Sequence, residues 1–184
     1  MSSKTTTRRR LGLAALLFAT FGFTFVEAET APLYDYGKAP EFAGLESWLN
    51  SEPLTLEGLQ GKVVLVDFWT YSCVNCLRTL PHVRAWHARY KDQGLVVIGM
   101  HTPEFAYERV RANLETAMRR FGVTYPVAQD NRYATWKAFD NAYWPAVYLI
   151  DRRGHIRLKH VGEGGDKEIE AAIQSLLAEP ALAR

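Results

Sequence analysis

The sequence feature that most constrains the fold is an apolar, β-branched run, KVVLVDFW, at residues 62–69. Gly61 precedes the run, and this composition is typical of a central strand that is buried on both faces of a sheet. A sheet with helices on both sides buries a strand in that way. Asp67 interrupts the run, and a buried carboxyl group is costly unless it has a function.

Both cysteines of the chain, Cys73 and Cys76, follow closely after this run. Over residues 74–91, apolar side chains recur near a spacing of 3.6, which predicts a helix that Pro81 should kink. The cysteines are therefore expected where the strand ends and the helix begins. Reaction sites gather at that end of the strands in open α/β sheets.

The remaining patterns alternate between strands and helices. LVVIGMH predicts a second buried strand, and TPEF predicts a helix that starts with Thr102 as its N-cap and ends at Gly122. Residues 29–62 carry turn signals that predict a short hairpin or an irregular lead-in. The other predicted elements are a strand in YPVAQD, a helix in YATWKAF, a hairpin of AVYLID and HIRLKHV, and a last helix in DKEIEAAIQSLLAE. This order predicts an α/β fold with a central mixed β-sheet flanked by helices and an N-terminal extension.

Residues 1–28 have the layout of a secretory signal peptide. Four basic residues in MSSKTTTRRR precede an uncharged apolar run at residues 11–26, and VEA follows at the cleavage region. A membrane-spanning helix needs about 20 apolar residues, so cleavage is favoured over an uncleaved anchor that would hold the protein at the membrane, facing the periplasm. We therefore expect an exported, periplasmic protein whose residues 29–184 form a single domain.

The charge balance gives no indication of a nucleic-acid partner. The formal net charge is +2, and it becomes −1 without residues 1–28, because that segment holds four positive charges and one negative charge. The basicity belongs to the targeting segment, so no nucleic-acid partner is expected. Outside the cytosol, cysteine pairs can be oxidised, so export permits a disulfide in this chain.

A Cys-x-x-Cys pair at a helix N-terminus has the chemistry of a redox dithiol. Unpaired amide N–H groups and the positive end of the helix dipole favour a thiolate at such a place. Cys73 is then the nucleophile that attacks a disulfide, and Cys76, one helical turn further on, resolves the mixed disulfide. Asp67 is expected to relay a proton for Cys76, with its pKa raised by burial.

Two other interpretations of the pair stay open from the residues alone. A structural disulfide would close so short a loop that it contributes little entropy. A metal clip usually needs a second cysteine pair or well-spaced histidines, and the five histidines are scattered at positions 82, 87, 101, 155 and 160. We expect no metal and no organic cofactor, because the redox centre would be the cysteine pair itself.

The block VDFWTYSCVNCLRTLP resembles the active-site block of the thioredoxin superfamily. The positions in register with it are Asp67, Trp69, Cys73, Cys76 and Pro81. YWPAVYLID offers Pro145 at the place of the family's cis-proline, and X-Pro bonds are the kind commonly found cis. With GMHTPEF, YPVAQDN and GEG, roughly residues 38–178 look like the exported TlpA/ResA-like thiol–disulfide oxidoreductases, especially the thioredoxin-like domain of DipZ-type proteins.

The resemblance implies a thioredoxin-like fold and an enzyme that exchanges electrons with disulfide-bearing protein substrates, in cytochrome c maturation or periplasmic disulfide reduction. It implies that Trp144 and Pro145 shape the substrate groove, whereas Trp69 packs beneath the site. DipZ-type proteins fuse this domain to a membrane electron conduit, so a separate membrane electron donor is expected here. We also expect a monomer. Val74 and Asn75 replace the Gly-Pro of thioredoxin, which leaves the direction of electron flow open.

Two other functions fit the same fold. A peroxide-reducing redoxin would need a Pro-x-x-x-Thr/Ser-x-x-Cys setting, and DFWTYSC has no proline there. A binding module for apocytochrome or another partner would leave the dithiol idle. The missing proline argues against the redoxin, and the presence of both cysteines in register argues against the binding module.

Overall fold

The apolar run at residues 62–69 forms the strand β2 (Val63–Trp69), and all seven of its residues are buried. The computed structural model describes residues 33–180. The predicted signal segment, residues 1–28, and the alternative anchor, residues 11–26, lie outside the described residues. Within the described part, no helix combines the length and the apolar character that crossing a membrane requires.

Strands and helices alternate along the chain much as the patterns predict. The strands are β1 (Ser47–Leu49), β2, β3 (Leu95–His101), β4 (Val127–Gln129), β5 (Ala146–Ile150) and β6 (Ile156–Val161). The helices are α1 (Val74–Tyr90), α2 (Arg111–Phe121), α3 (Ala134–Ala138) and α4 (Asp166–Ala178). Short 3₁₀ turns lie at Lys91–Gln93 and Ala106–Arg109.

The sheet is mixed, with the strand order β1-β4-β3-β2-β5-β6. β2 runs parallel to β3, and β3 runs parallel to β4, whereas β5 is antiparallel to β2 and to β6. The chain leaves β2 towards β3 on one side and later returns to β5 on the other side. The carboxyl end of β2 is therefore the switch point at which open α/β sheets place their sites.

Each face of the sheet carries its own hydrophobic cluster, because side chains alternate along a strand. Leu65 and Trp69 belong to the cluster that is covered by α1, α2 and α4. Val66 and Phe68 belong to the opposite cluster, which is covered by α3 and the segment before β2. Asp67 lies two residues from Leu65 and from Trp69, so it shares their face of the sheet, which α1, the helix that carries the cysteines, covers. The predicted mixed sheet flanked by helices is confirmed.

The helix predicted to start at Thr102 begins later, so that prediction was wrong. The Thr102 N–H donates to the carbonyl of Trp69 at 3.1 Å, which continues the pairing of the sheet instead of capping a helix. A 3₁₀ turn follows before α2 starts. The carboxylate of Glu108 accepts the backbone N–H groups of Glu104 and Phe105, which a cap at Thr102 would otherwise have had to satisfy.

Three further details of the structure can be compared with the sequence patterns. Residues 33–62 do not form a hairpin; instead, β1 pairs antiparallel with β4, with Ser47 opposite Gln129, and adds an edge strand. α1 continues through Pro81 to Tyr90. Gly122 ends α2 in the left-handed conformation, with a φ of 64°, as its position predicts.

Candidate active site

The two cysteines lie at the start of α1, one near the surface and one inside. Cys73 is the N-cap residue, and its Sγ accepts a hydrogen bond from the Cys76 N–H at 3.3 Å. Both residues are free cysteines. Cys73 is partly exposed, whereas only 1% of the surface of Cys76 is exposed. This asymmetry leaves Cys73 as the sulfur that a disulfide can reach.

The buried thiol is held in its protonated form. Burial raises the pKa of the Cys76 thiol well above its ordinary value, and the hydrogen bond with Cys73 raises it further. A backbone hydrogen bond from Thr70 lowers the pKa of Cys76, and the charges of Cys73 and Asp67 raise it by smaller amounts. Because the thiolate is the nucleophile, Cys76 needs a proton acceptor before it can attack a mixed disulfide.

Asp67 places a carboxyl group on the same face of the sheet as Cys76. Its side chain is 2% exposed, and its Oδ1 has no hydrogen-bond partner within residues 33–180. Burial raises the pKa of Asp67 to about 7. Near neutral pH such a group is present in both protonation states, which suits a group that takes up and releases a proton. Asp67 lies where the sequence predicts it, and its role in proton transfer stays a prediction.

The surroundings of Asp67 are shaped by a glycine on the neighbouring strand. Gly99 is the register partner of Asp67 in β3. A Cβ on Gly99 would lie 2.8 Å from Nε1 of Trp69 and 3.1 Å from the ring of Tyr125. Both aromatic side chains belong to the buried cluster around α1. Trp69 therefore packs beneath the site, in agreement with its predicted structural position, and Gly99 leaves room for the two rings.

Trp144 and Pro145 reach the same end of the sheet from β5. Ala146 is the register partner of Phe68, so Pro145 comes level with the end of β2. The Trp144–Pro145 peptide bond is cis, as the sequence motif predicts. Nε1 of Trp144 donates to the carbonyl of Thr102 at 3.0 Å, which fixes the indole against the end of β3. The contribution of these two residues to a substrate groove stays a prediction.

A cluster of polar side chains beside the dithiol was missed by the sequence analysis. Ser72 Oγ donates to Oε1 of Glu108 at 2.5 Å, and Thr70 Oγ1 lies 3.3 Å from Nε2 of His101. The last two residues of the cluster, His101 and Glu108, are fully buried. The motif GMHTPEF marked this region, but no spacing in it indicated that Glu108 would contact the residue before Cys73.

The histidines do not supply a metal site to the dithiol. Among residues 33–180, no group of three or more His, Cys, Asp or Glu side chains is arranged to hold a metal ion. Burial lowers the pKa of His101 to about 4, so this histidine is neutral at physiological pH. The zinc interpretation of the cysteine pair therefore has no ligand set in the part of the chain that the structure describes.

The family model described as Redoxin matches residues 36–174, which is most of the chain. The protein belongs to the redoxin family. Its match covers β2, the dithiol, Pro145 and the first nine residues of α4. The predicted thioredoxin-like fold and the predicted TlpA/ResA-like kinship are confirmed.

Named relatives and solved structures agree with this membership. The chain is 49% identical over 150 residues to Protein DipZ of Mycobacterium tuberculosis, covering 80% of this chain and 22% of DipZ. It is 34% identical to Thiol-disulfide oxidoreductase YkuV of Bacillus subtilis, covering 76% of this chain and 94% of YkuV. A thiol-disulfide isomerase from Corynebacterium glutamicum superposes with a TM-score of 0.70 at 30% identity, covering 77% of this chain and 98% of the isomerase.

The chain matches very different shares of these relatives. The chain spans about a fifth of DipZ but nearly all of YkuV. The relatives of matching length carry names of the thiol–disulfide oxidoreductase and isomerase class. At the level of the family, the prediction of an enzyme of the thiol–disulfide oxidoreductase class is confirmed.

Proposed function

We propose that this protein is an exported thiol–disulfide oxidoreductase that exchanges two electrons with protein disulfides through Cys73 and Cys76. The observation that carries the proposal is the asymmetry of the pair. A partly exposed sulfur caps α1, and a buried, protonated thiol lies one turn inside, on the side of the sheet that also carries a carboxyl group with a pKa of about 7. A structural disulfide would need neither the free exposed sulfur nor the carboxyl group.

In the first step, the Cys73 thiolate attacks one sulfur of a substrate disulfide. The substrate S–S bond breaks as a bond forms between Cys73 and that sulfur, and the second substrate sulfur leaves as a thiolate that takes a proton from solvent. The Cys76 N–H contacts the Cys73 sulfur, so a backbone donor stabilises its negative charge before the attack. The helix N-terminus acts in the same direction.

In the second step, Cys76 gives its proton to Asp67 and attacks the sulfur of Cys73. The mixed disulfide breaks, the Cys73–Cys76 disulfide forms, and the substrate sulfur that was bound to Cys73 leaves as a thiolate that takes a proton from solvent. Two electrons have then passed from the dithiol to the substrate. Return of the protein to the dithiol form needs a reductant, for which we propose a dithiol of a separate membrane protein. Run in reverse, the same steps oxidise a substrate dithiol.

The compartment and the substrates are part of the proposal. The basic and apolar layout of residues 1–28 supports export to the periplasm, where oxidised protein thiols are the available substrates. Reduction of apocytochrome disulfides during cytochrome c maturation and general reduction of periplasmic disulfides both fit this chemistry. We propose a monomer that works without metal or organic cofactor, with Trp144 and Pro145 lining the groove that receives the substrate chain.

Insulin reduction with dithiothreitol as the electron source tests the proposal. We expect the wild-type protein to accelerate precipitation of the insulin B chain and the Cys73→Ser variant to lose this activity. The Thr79→Ser variant is a matched control, because it keeps a hydroxyl on the same helix and leaves both sulfurs in place. Full activity in Cys73→Ser would overturn the proposal. Rapid oxidation of Cys73 by hydrogen peroxide without insulin reduction would instead favour the peroxide-reducing alternative.

The equilibrium reduction potential against glutathione settles the direction of electron flow. A potential near about −270 mV would mark a reductant, and a potential near about −120 mV would mark an oxidant. Because the chain contains two cysteines, the measured couple is that of Cys73 and Cys76.

A further inference from the structure

Glu108 is a fully buried carboxylate that the proposed reaction does not use. Its exposed fraction is 0%. Oε2 accepts the backbone N–H groups of Glu104 at 2.6 Å and of Phe105 at 2.9 Å. A buried charge is tolerated when it is hydrogen-bonded in this way. The carboxylate is thus anchored firmly to the loop between β3 and α2.

The other oxygen of this carboxylate holds the loop that carries the nucleophile. Oε1 accepts the hydroxyl of Ser72 at 2.5 Å, and Ser72 immediately precedes Cys73. The Cys73 N–H donates to the carbonyl of Thr70 at 3.3 Å, so Ser72 lies inside a tight turn. Any displacement of Ser72 would move the Cys73 sulfur relative to the N-terminus of α1.

The rest of this turn is bound to the same segment. The hydroxyl of Tyr71 donates to the carbonyl of Tyr107 at 3.1 Å, and the hydroxyl of Tyr107 donates to Ser72 Oγ at 3.2 Å. The ring of Tyr71 stacks on His101, with centroids 5.5 Å apart and an angle of 14° between the planes. We call the contacts between residues 70–72 and residues 101–108 the loop clamp.

The carboxylate of Glu108 is the charged group that takes part in the contacts of the loop clamp. Burial raises the pKa of this carboxyl group, but hydrogen bonds from Ser72, Thr70 and the two amides outweigh burial and bring the pKa below its ordinary value. His101 is neutral above about pH 5, because burial lowers its pKa to about 4. An ionised carboxylate accepts hydrogen bonds on both oxygens and donates none, so it fits a site that presents donors only.

We propose that Glu108 is a positioning residue of the dithiol. Through the hydroxyl of Ser72, Glu108 fixes the turn that places Cys73 at the N-terminus of α1. This inference rests on the proposed function, because it assigns a task to Glu108 in the same site. Glu108 contacts neither sulfur. Its effect reaches the reaction through the orientation of Ser72, whose hydroxyl is one of the three donors that the carboxylate accepts.

Two single variants and their combination test the inference. Ser72→Ala removes the donor of this hydrogen bond, and Glu108→Gln removes the charge of its acceptor. A hydrogen bond to a charged group contributes about tenfold or more to an equilibrium constant. We expect each variant to slow the alkylation of Cys73 by iodoacetamide about tenfold and to shift the pH profile of alkylation. The double variant should be no slower than Glu108→Gln, since the two residues act through one bond.

Glu115→Gln is the matched control, because Glu115 is a carboxylate on α2 that pairs with Arg111 outside the loop clamp. It should alkylate at the wild-type rate with the wild-type pH profile. Additive losses in the double variant, or a Glu108→Gln profile equal to that of Glu115→Gln, would overturn the inference. If Glu108→Gln does not fold, Ser72→Ala alone tests the inference, because Ser72 is partly exposed and its substitution is compatible with folding. Alkylation needs no disulfide substrate, so failure of the wild type to reduce insulin would count against the proposed function alone.

Discussion

Two buried carboxyl groups flank the dithiol, and their surroundings give them opposite properties. Asp67 lies below Cys76, its Oδ1 has no hydrogen-bond partner within residues 33–180, and burial raises its pKa to about 7. Glu108 lies beside Ser72, accepts hydrogen bonds on both oxygens, and has a pKa below its ordinary value. Burial acts on both groups in the same direction, so hydrogen bonding decides the difference.

The comparison separates two tasks that a redox site requires. A carboxyl group without donors gains and loses its proton near neutral pH, which suits proton exchange with the buried thiol. A carboxylate saturated with donors stays ionised and rigid, which suits the fixing of a turn. Residue type alone would not distinguish them, because both are acidic side chains within the same small region.

The largest effect is expected from Cys76→Ser, which removes the thiol whose proton Asp67 is proposed to accept. Turnover of insulin should fall by about a thousandfold or more, because the mixed disulfide at Cys73 can no longer be resolved from within. Mass spectrometry should find one insulin chain attached to Cys73. In the Cys76→Ser variant, Asp67→Asn should cause no further loss of turnover. A further loss would mean that Asp67 acts on another step.

Asp67→Asn in the wild-type background should slow the second step by about a hundredfold while leaving the attack by Cys73 intact. In the wild type, the rate of resolution should rise with pH through a midpoint of about 7, as Asp67 ionises. Stopped-flow measurement of Trp fluorescence after mixing with a disulfide follows both steps. An unchanged midpoint in Asp67→Asn would contradict the assignment.

The same variant should stabilise the fold. A raised pKa means that ionisation of Asp67 destabilises the native state as pH rises from the ordinary value of 3.8 to about 7. Asparagine carries no such charge, so Asp67→Asn should gain on the order of 3 kcal/mol in the free energy of unfolding above that range and little below it. Urea unfolding of the reduced protein at several pH values measures the difference.

Glu108→Gln should shift stability in the opposite direction. An amide cannot accept hydrogen bonds at both positions, so we expect a loss of about 2 kcal/mol at neutral pH. Because the pKa of Glu108 is lowered, its contribution is present above the ordinary value of 4.5 and is lost as pH falls through the folded value. If the same urea series shows Glu108→Gln to be stabilised, the two carboxyl groups do not differ as described.

An exposed carboxylate gives the smallest effect and serves as a baseline. Glu163 contacts Arg78 at 3.2 Å, with about half of each side chain exposed. An ion pair of this kind contributes about 0.5 kcal/mol or less, so Glu163→Gln should leave stability and insulin reduction nearly unchanged. A larger loss of insulin reduction would place Glu163 in the substrate-binding surface.

Asp67 could be predicted from the sequence and Glu108 could not, for a physical reason. Asp67 is a charged residue inside an apolar strand, so its burial follows from local pattern alone. Glu108 is buried because Ser72, 36 residues earlier, folds against it, and no local pattern records such a contact. The same carboxylate explains the wrong prediction of a helix start at Thr102, since Glu108 accepts the N–H groups that Thr102 was expected to cap.

The fold shows the same division between local and distant information. β2, α1 and the hairpin of β5 and β6 follow from periodicity and turn residues, and the structure contains them. The edge strand β1 was not predicted, because its three residues gain their strand conformation by pairing with β4 far along the chain. Gly99 likewise matters only through its register with Asp67, which the sequence does not display.

A ¹³C NMR titration of the side-chain carboxyl groups in the reduced protein tests the difference between Asp67 and Glu108 most directly. Spectra over about pH 3 to 9 cover the ordinary range of both groups, and Asp67→Asn and Glu108→Gln assign the two signals. We expect the Asp67 signal to titrate with a midpoint of about 7 and the Glu108 signal to titrate below 4.5. A midpoint for Asp67 near its ordinary value of 3.8 would contradict its role as the proton acceptor of Cys76.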